Sequence, residues 1–352
     1  MSADELTSPA PTRRSDRRRT GRMPIPDVLR GVAILAMLIA HAGPFVPNMP
    51  KVLLYVQSDI NDVASPLFAL VMGISAQLVW NRRDGLARTW LQQTWRGILL
   101  FALGTWMSTW GSWVAIVLQA LGVLLIVGVP LLLLRTRTLV VVALAVLLVS
   151  QPLLSLARGA LWIYTQPWFV IELANAMALG RSYRLINLLP FFLLGALLLR
   201  HGFTRDRMLW IMAAIAPLAY IASFVIDKVT GAEVKSGDYL DTLHDIGLVF
   251  AVYVAVVLAA TARARGVWDR VFVPFRACGQ LALSLYVLHV GLIALWARAY
   301  GFPQGNEPLG WLLIVPGMML VAWVWWRFAG IGPVEWLMGL LTGRPKRLRT
   351  VR

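Results

Sequence analysis

From residue 28 onward the chain is a succession of long apolar runs separated by short polar stretches. The runs are continuous rather than alternating, so they read as helices of a membrane bundle and not as strands of a transmembrane barrel. With ~17–25 residues needed per span, they fall at 28–47, 62–81, 94–110, 113–134, 138–156, 185–200, 208–226, 242–262, 278–297 and 309–328. The expected fold class is therefore all-α, a polytopic membrane helical bundle of about ten transmembrane helices. The aromatic stretch 158–184, which carries Glu172 and Arg181, contains no clean run and reads as a re-entrant or interfacial segment. Pro130, Pro190, Pro217 and Pro316 fall inside predicted spans and are expected to interrupt them.

Composition agrees with this pattern: of 352 residues, 59% are hydrophobic and only 14% charged. A net charge of +16 would suit nucleic acid, but the basic residues sit in short clusters between apolar runs, so no nucleic-acid partner is expected. Placing the N-terminus inside puts 23 Lys and Arg on the cytoplasmic side and seven outside. That bias predicts a multi-pass cell-membrane protein with both termini cytoplasmic. Residues 1–26 form an expected disordered basic tail, 27–342 one transmembrane unit, and 343–352 a second basic tail. The arginines of the first tail either favour the anionic inner leaflet or only set orientation. Cys278 is the single cysteine, so no internal disulfide is expected. No small-residue cleavage site follows the first run, so no cleavable signal peptide is expected.

Ionisable residues inside spans are where chemistry is sought, because burying them is costly. Arg30 and His41 are separated by eleven steps of ~100°, close to three whole turns, and so share one face of the first helix. His41 and His289 lie at similar depth on two helices, and an imidazole near pKa ~6.5 can move protons. They are the candidate catalytic pair, weighed against simple interhelical hydrogen bonding. Arg30, Arg82, Arg83, Arg88 and Arg96 mark the cytoplasmic side, where guanidiniums suit phosphate; positive-inside bias alone explains them equally well. The stretch Asp238–Asp245, with His244, reads as a solvated outer loop in preference to a polar rim. There is no phosphate-binding Gly-rich loop, no nucleophile elbow and no metal-spaced Cys/His set, so no metal is expected.

Several boxes follow one another along the chain: Asp27-x-x-Arg30-Gly31-x-Ala33, Arg30 followed after ten residues by His41, and Asp62-x-x-x-Pro66-x-Phe68-x-x-x-x-Gly73. Trp95-Arg96 through Gly104, Val117-Leu118-Gln119 through Gly122, and Gly279 through Ser284, Tyr286 and His289 continue the series, and Gly332-Pro333-Val334-Glu335-Trp336 closes it. In this order the boxes resemble those of the heparan-α-glucosaminide N-acetyltransferase family, within the wider superfamily of transmembrane acyltransferases, and the last is similar to the closing box of a bacterial branch. Gln93 replaces the first arginine of the family's Arg-x-x-Arg pair, Gly339 replaces a basic residue, and residues 48–61 lack the family's outer histidine. The resemblance implies transfer of an acyl group, acetyl first, from cytosolic acetyl-CoA or another acyl-CoA to a sugar of an extracytoplasmic glycan or glycolipid. It implies His41 as base, His289 as a second proton or acceptor group, and Arg30, Arg96, Arg82 and Arg83 toward the CoA. Asp62, Gln119 and Glu335 become substrate-contacting or supporting residues.

The reading leans towards an enzyme. A transporter or flippase using the same polar path, and a non-catalytic membrane scaffold, remain alternatives, and a homo-oligomer is left open. The topology has its own test: a reporter fused within 229–238 is expected outside the cell, and one fused after Arg352 inside, when each is probed with an impermeant label.

Overall fold

The computed structural model describes residues 24–82, 85–231, 235–262 and 265–343. Arg83 and the tail residues 1–23 and 344–352 lie outside these described residues. Among the described residues every regular element is helical. In order they are α1 (Pro24–Ala42, extended by a 3-10 turn, Gly43–Phe45), α2 (Lys51–Asn81), α3 (Leu86–Ser108), α4 (Leu118–Leu131) and α5 (Thr136–Gly159). Then come α6 (Trp168–Leu179), α7 (Leu185–His201), α8 (Arg207–Thr230) and α9 (Tyr239–Ala260). The chain closes with α10 (Arg265–Gln280), α11 (Ala282–Tyr300), α12 (Pro308–Phe328) and α13 (Pro333–Leu341). Seven of these helices are long and apolar enough to cross a membrane. The molecule is an all-α membrane bundle, as the continuous apolar runs require.

Each predicted run falls on one helix, with three differences of physical interest. Helix α2 begins at Lys51 rather than 62, because Gln57, Ser58, Asp59 and Asn61 depress hydropathy without breaking a helix. The basic stretch 263–276, which lies between two predicted spans, is largely the amphipathic α10, which buries Phe272, Ala277 and Cys278 while exposing Trp268 and Val271. A break at Leu281 then starts α11 at Ala282, later than the expected 278. The prolines do not interrupt as expected. Helices α7 and α8 run through Pro190 and Pro217, Pro130 sits at the end of α4, and Pro316 is taken up in a π-turn of α12, Leu313–Gly317. The stretch 158–184 holds a 3-10 turn and the short α6, with Trp162, Tyr164, Trp168 and Phe169 exposed as at a membrane interface.

Glycines set how closely the helices approach. A Cβ on Gly31 would collide with the Phe275 carbonyl of α10, and one on Gly279 with the Asp27 carbonyl of α1. Gly73 of α2 and Gly195 of α7 stand in the same reciprocal relation to the backbones of Phe192 and Leu70, and Gly97 and Gly122 face each other across α3 and α4. With lipid as solvent there is little hydrophobic drive to pair helices, so this backbone proximity and its dispersion carry the packing. Arginines close the helix ends. The Arg200 guanidinium donates to the carbonyls of Leu132 (2.7 Å) and Leu134 (2.9 Å) after α4 and to the Gln77 side chain of α2 (2.9 Å). Arg205 donates to Leu258 and to Thr261 Oγ1 at the end of α9.

Replacing Gly73 by leucine should therefore cost ~3 kcal/mol or more, since the obstruction is backbone rather than a movable side chain. Gly159→Ala, at a site open to its surroundings, should leave thermal unfolding in detergent unchanged. Equal melting temperatures for the two variants would contradict this packing.

Candidate functional site

The two intramembrane histidines meet. His41, in the last turn of α1, has its Nδ1 3.0 Å from Nε2 of His289 on α11, and the rings stack at 8° with centroids 5.2 Å apart. His289 is fully buried, and its Nδ1 lies 3.0 Å from the Leu285 carbonyl one turn earlier. A carbonyl only accepts, so Nδ1 of His289 carries the proton and Nε2 is left as an acceptor. His41 must then donate from Nδ1, which leaves the lone pair of its own Nε2. That atom has no hydrogen bond among the described residues, and His41 is only half-buried. The order runs from a fixed backbone carbonyl through His289 to a free basic nitrogen.

Neighbours hold this pair in place. Tyr286 sets its ring edge-on to His289 at 5.3 Å, and its hydroxyl accepts from the Val117 backbone at 3.1 Å, joining α11 to the start of α4. The Trp113 indole donates to the His41 carbonyl at 3.3 Å. Phe45, just past α1, packs edge-on between Trp113 and Trp296. Sequence reasoning matched the depths of His41 and His289 but not their contact, named Tyr286 only as part of a box, and passed over Trp113.

Glu335 of the closing box is explained directly. Its Oε1 accepts from the backbone amides of Leu283 (2.7 Å) and Ser284 (3.1 Å), and its Oε2 from the Ser284 hydroxyl. The same hydroxyl accepts from the Val334 amide at 3.0 Å. Glu335 is therefore the acceptor for the first turn of α11, the helix that carries His289, and a carboxylate there also meets the favourable end of the helix dipole.

Arg30 lies toward the opposite end of α1, ~16 Å from His41 along the axis. It donates to Ser75 Oγ of α2 (2.5 Å) and, at 3.4 Å, to the Gly279 carbonyl of α10, and pairs with Asp27 at 3.5 Å. Asp27 accepts from Gln280, which accepts from the Trp326 indole. Arg30 thus ties α1 to α2 and α10. Arg82 and Arg96 are exposed, at the end of α2 and on the first half of α3. Gln119 donates to Glu172 of α6 at 2.8 Å and to Thr105 at 3.3 Å.

Asp62 belongs to a second cluster, and here an expectation fails. Residues 239–245 are the first turns of α9 rather than a solvated loop, and His244 faces α2, with Nε2 3.3 Å from Asp59 and 3.8 Å from Asp62. Tyr220 of α8 donates to Asp59 at 2.8 Å. Alternation with leucine and isoleucine hides such a cluster from a hydropathy reading. Among the described residues no group of His, Cys, Asp and Glu could hold a metal ion.

A family model, described as an acyltransferase domain, matches residues 24–327. The chain belongs to this membrane acyltransferase family. The match covers both dyad histidines, Arg30, Asp62 and Gln119 of this acyltransferase, and ends before Glu335. No curated protein matches the chain.

In this acyltransferase Glu335→Ala removes the acceptor of three donors, at roughly 1.5–3 kcal/mol for a hydrogen bond to a charged group. A clear drop in melting temperature is expected, with partial recovery in Glu335→Gln. An unchanged melting temperature in Glu335→Ala would remove the capping role.

Proposed function

We propose that this membrane acyltransferase carries an acyl group from cytosolic acyl-CoA to a hydroxyl or amine of a glycan or glycolipid on the far side of the membrane, with His41 as general base. The observation that carries the reading is the ordered dyad, whose hydrogen bonds leave the Nε2 lone pair of His41 free. In the proposed step Nε2 takes the proton of the acceptor O–H or N–H as the heteroatom attacks the thioester carbonyl carbon. The C–S bond breaks, a C–O or C–N bond replaces it, and the departing thiolate recovers the proton from His41. The imidazolium formed in between keeps its Nδ1–H bond to His289, which steadies the charge and the ring. Direct transfer of this kind needs no acyl-enzyme.

The sidedness rests on the charge bias, which puts Arg82, Arg83 and Arg96 on the cytoplasmic side for the CoA phosphates. His41 lies toward the other end of α1, where the acceptor would arrive. The resemblance to the heparan-α-glucosaminide branch supports a sugar acceptor. Arg30 enters this reading through its ties to Ser75 and Gly279, as the residue that fixes α1 beside the donor path. Gln119, bonded to Glu172 and Thr105, and Asp62, in the separate cluster with His244, enter as supports of the helices rather than as groups at the dyad.

The test is a titration of the purified protein with CoA and acetyl-CoA. Binding is expected in wild type and should weaken in Arg96→Ala; no binding at millimolar nucleotide removes the reading. His41→Ala should lower transfer by at least ~10²-fold, the usual weight of a general base, with CoA affinity retained. Loss of both together would make His41 structural.

A further inference from the structure

An apolar groove of about 270 Å³ lies between α11 and α12, walled by Phe45, Leu292, Leu295, Trp296, Leu313 and Ile314. Ala299 and Gly310 also line it, and any larger residue at Gly310 would strike the Phe45 ring. Leu295 and Leu313 are half exposed or more, so the groove opens sideways to the membrane. Its position on α11 is the informative feature. Leu292 follows His289 by three residues, a rise of ~4.5 Å, and Trp296 follows by seven, which returns to within ~20° of the same face. Phe45 follows His41 at the end of α1 in the same way, and its ring meets that of Trp296 at 5.0 Å. Along α11 the lining of the groove therefore begins about one turn beyond His289 and continues away from it.

Two hydrocarbons compete for such a groove. The tail of a lipid-linked acceptor is separated from its reacting hydroxyl or amine by a whole head group, which would carry the tail's start well away from the histidines. An acyl chain is bonded to the reacting carbonyl carbon itself, and so must begin where this groove begins. From Leu292 to Ala299 the groove spans ~10 Å. We infer that it receives the chain of the transferred acyl group, and that the preferred donor is a medium-chain acyl-CoA of about eight carbons, at ~1.25 Å advance per carbon from C–C bonds of ~1.5 Å. The chain stays on its carbonyl throughout: the C–S bond gives way to C–O or C–N, and the acceptor proton leaves on the thiolate through His41. This inference rests on the acyl-transfer reading above and adds to it the class of acyl group.

The experiment compares CoA, acetyl-CoA, octanoyl-CoA and palmitoyl-CoA binding to the full-length protein in nanodiscs. Octanoyl-CoA should bind at least tenfold more tightly than acetyl-CoA, given ~0.8 kcal/mol per buried methylene. In Leu292→Trp, which fills the start of the groove, the ratio of the two affinities should collapse to within threefold of unity. Leu320→Trp, a lipid-exposed position of α12 outside the groove, should keep the wild-type ratio and controls for partition into lipid. If CoA and its thioesters bind with no dependence on chain length, the groove assignment falls while the donor reading stands. The assignment falls also if the octanoyl preference survives in Leu292→Trp. If no CoA species binds at all, both fall together.

Discussion

An imidazole N–H inside a lipid-solvated bundle has no water to fall back on, and the hydrogen bond between His41 and His289 is the structure's answer to that constraint. The two residues are 248 positions apart, so the bond can form only if the first and eleventh helices are brought together within side-chain reach. Much of the architecture serves that approach. Gly31 and Gly279 let α1 and α10 touch backbone to backbone, Arg30 pins α1 against α2 and α10, and the break at Leu281 redirects the chain into α11. Tyr286 then fixes α11 against the start of α4. Because the Leu285 carbonyl can only accept, the polarity of the whole pair follows from one backbone group.

Polar side chains in this bundle divide by depth and by task. At the Arg30 end, Asp27, Ser75, Gln280 and Trp326 form a network whose members satisfy one another across four helices. Near the other ends of α2 and α9 lie Asp59, Asp62 and His244, joined by Tyr220. The dyad stands apart from both, since it alone ends in an imidazole nitrogen without a hydrogen bond among the described residues. Satisfied networks stiffen a bundle, whereas an unspent lone pair is available for chemistry.

What the sequence makes legible here is what depends on neighbours along the chain. Continuous apolar runs locate the helices, and a rise of ~1.5 Å per residue puts His41 and His289 at one depth. Helix rotation is a tertiary property, so contact between the rings, and the role of Tyr286, could not be read from spacing. A search for continuous apolar runs misses α10 and the first turns of α2 and α9, where charged and apolar residues share a helix. Arginine is ambiguous for a chemical reason: the donors that grip a phosphate grip the bare carbonyls at a helix end just as well. Arg200 and Arg205 do the latter. Glu335 stood in a recognisable box, but its partners lie about fifty positions upstream, beyond any local rule.

That long reach of Glu335 has a consequence for the order of events at the ribosome. Helix α11 is synthesised, and can enter the membrane, while the acceptor for its first turn does not yet exist. At ~5–20 residues per second, several seconds separate the emergence of Leu283 from that of Glu335. During that interval the helix bearing His289 has uncapped amides in its first turn and is held by Tyr286 and its other neighbours alone. The capped form of this helix is therefore a late product of biogenesis, completed when the last of the described helices arrives, and a nascent chain stalled before α13 would carry both histidines with the first turn of α11 still unsatisfied.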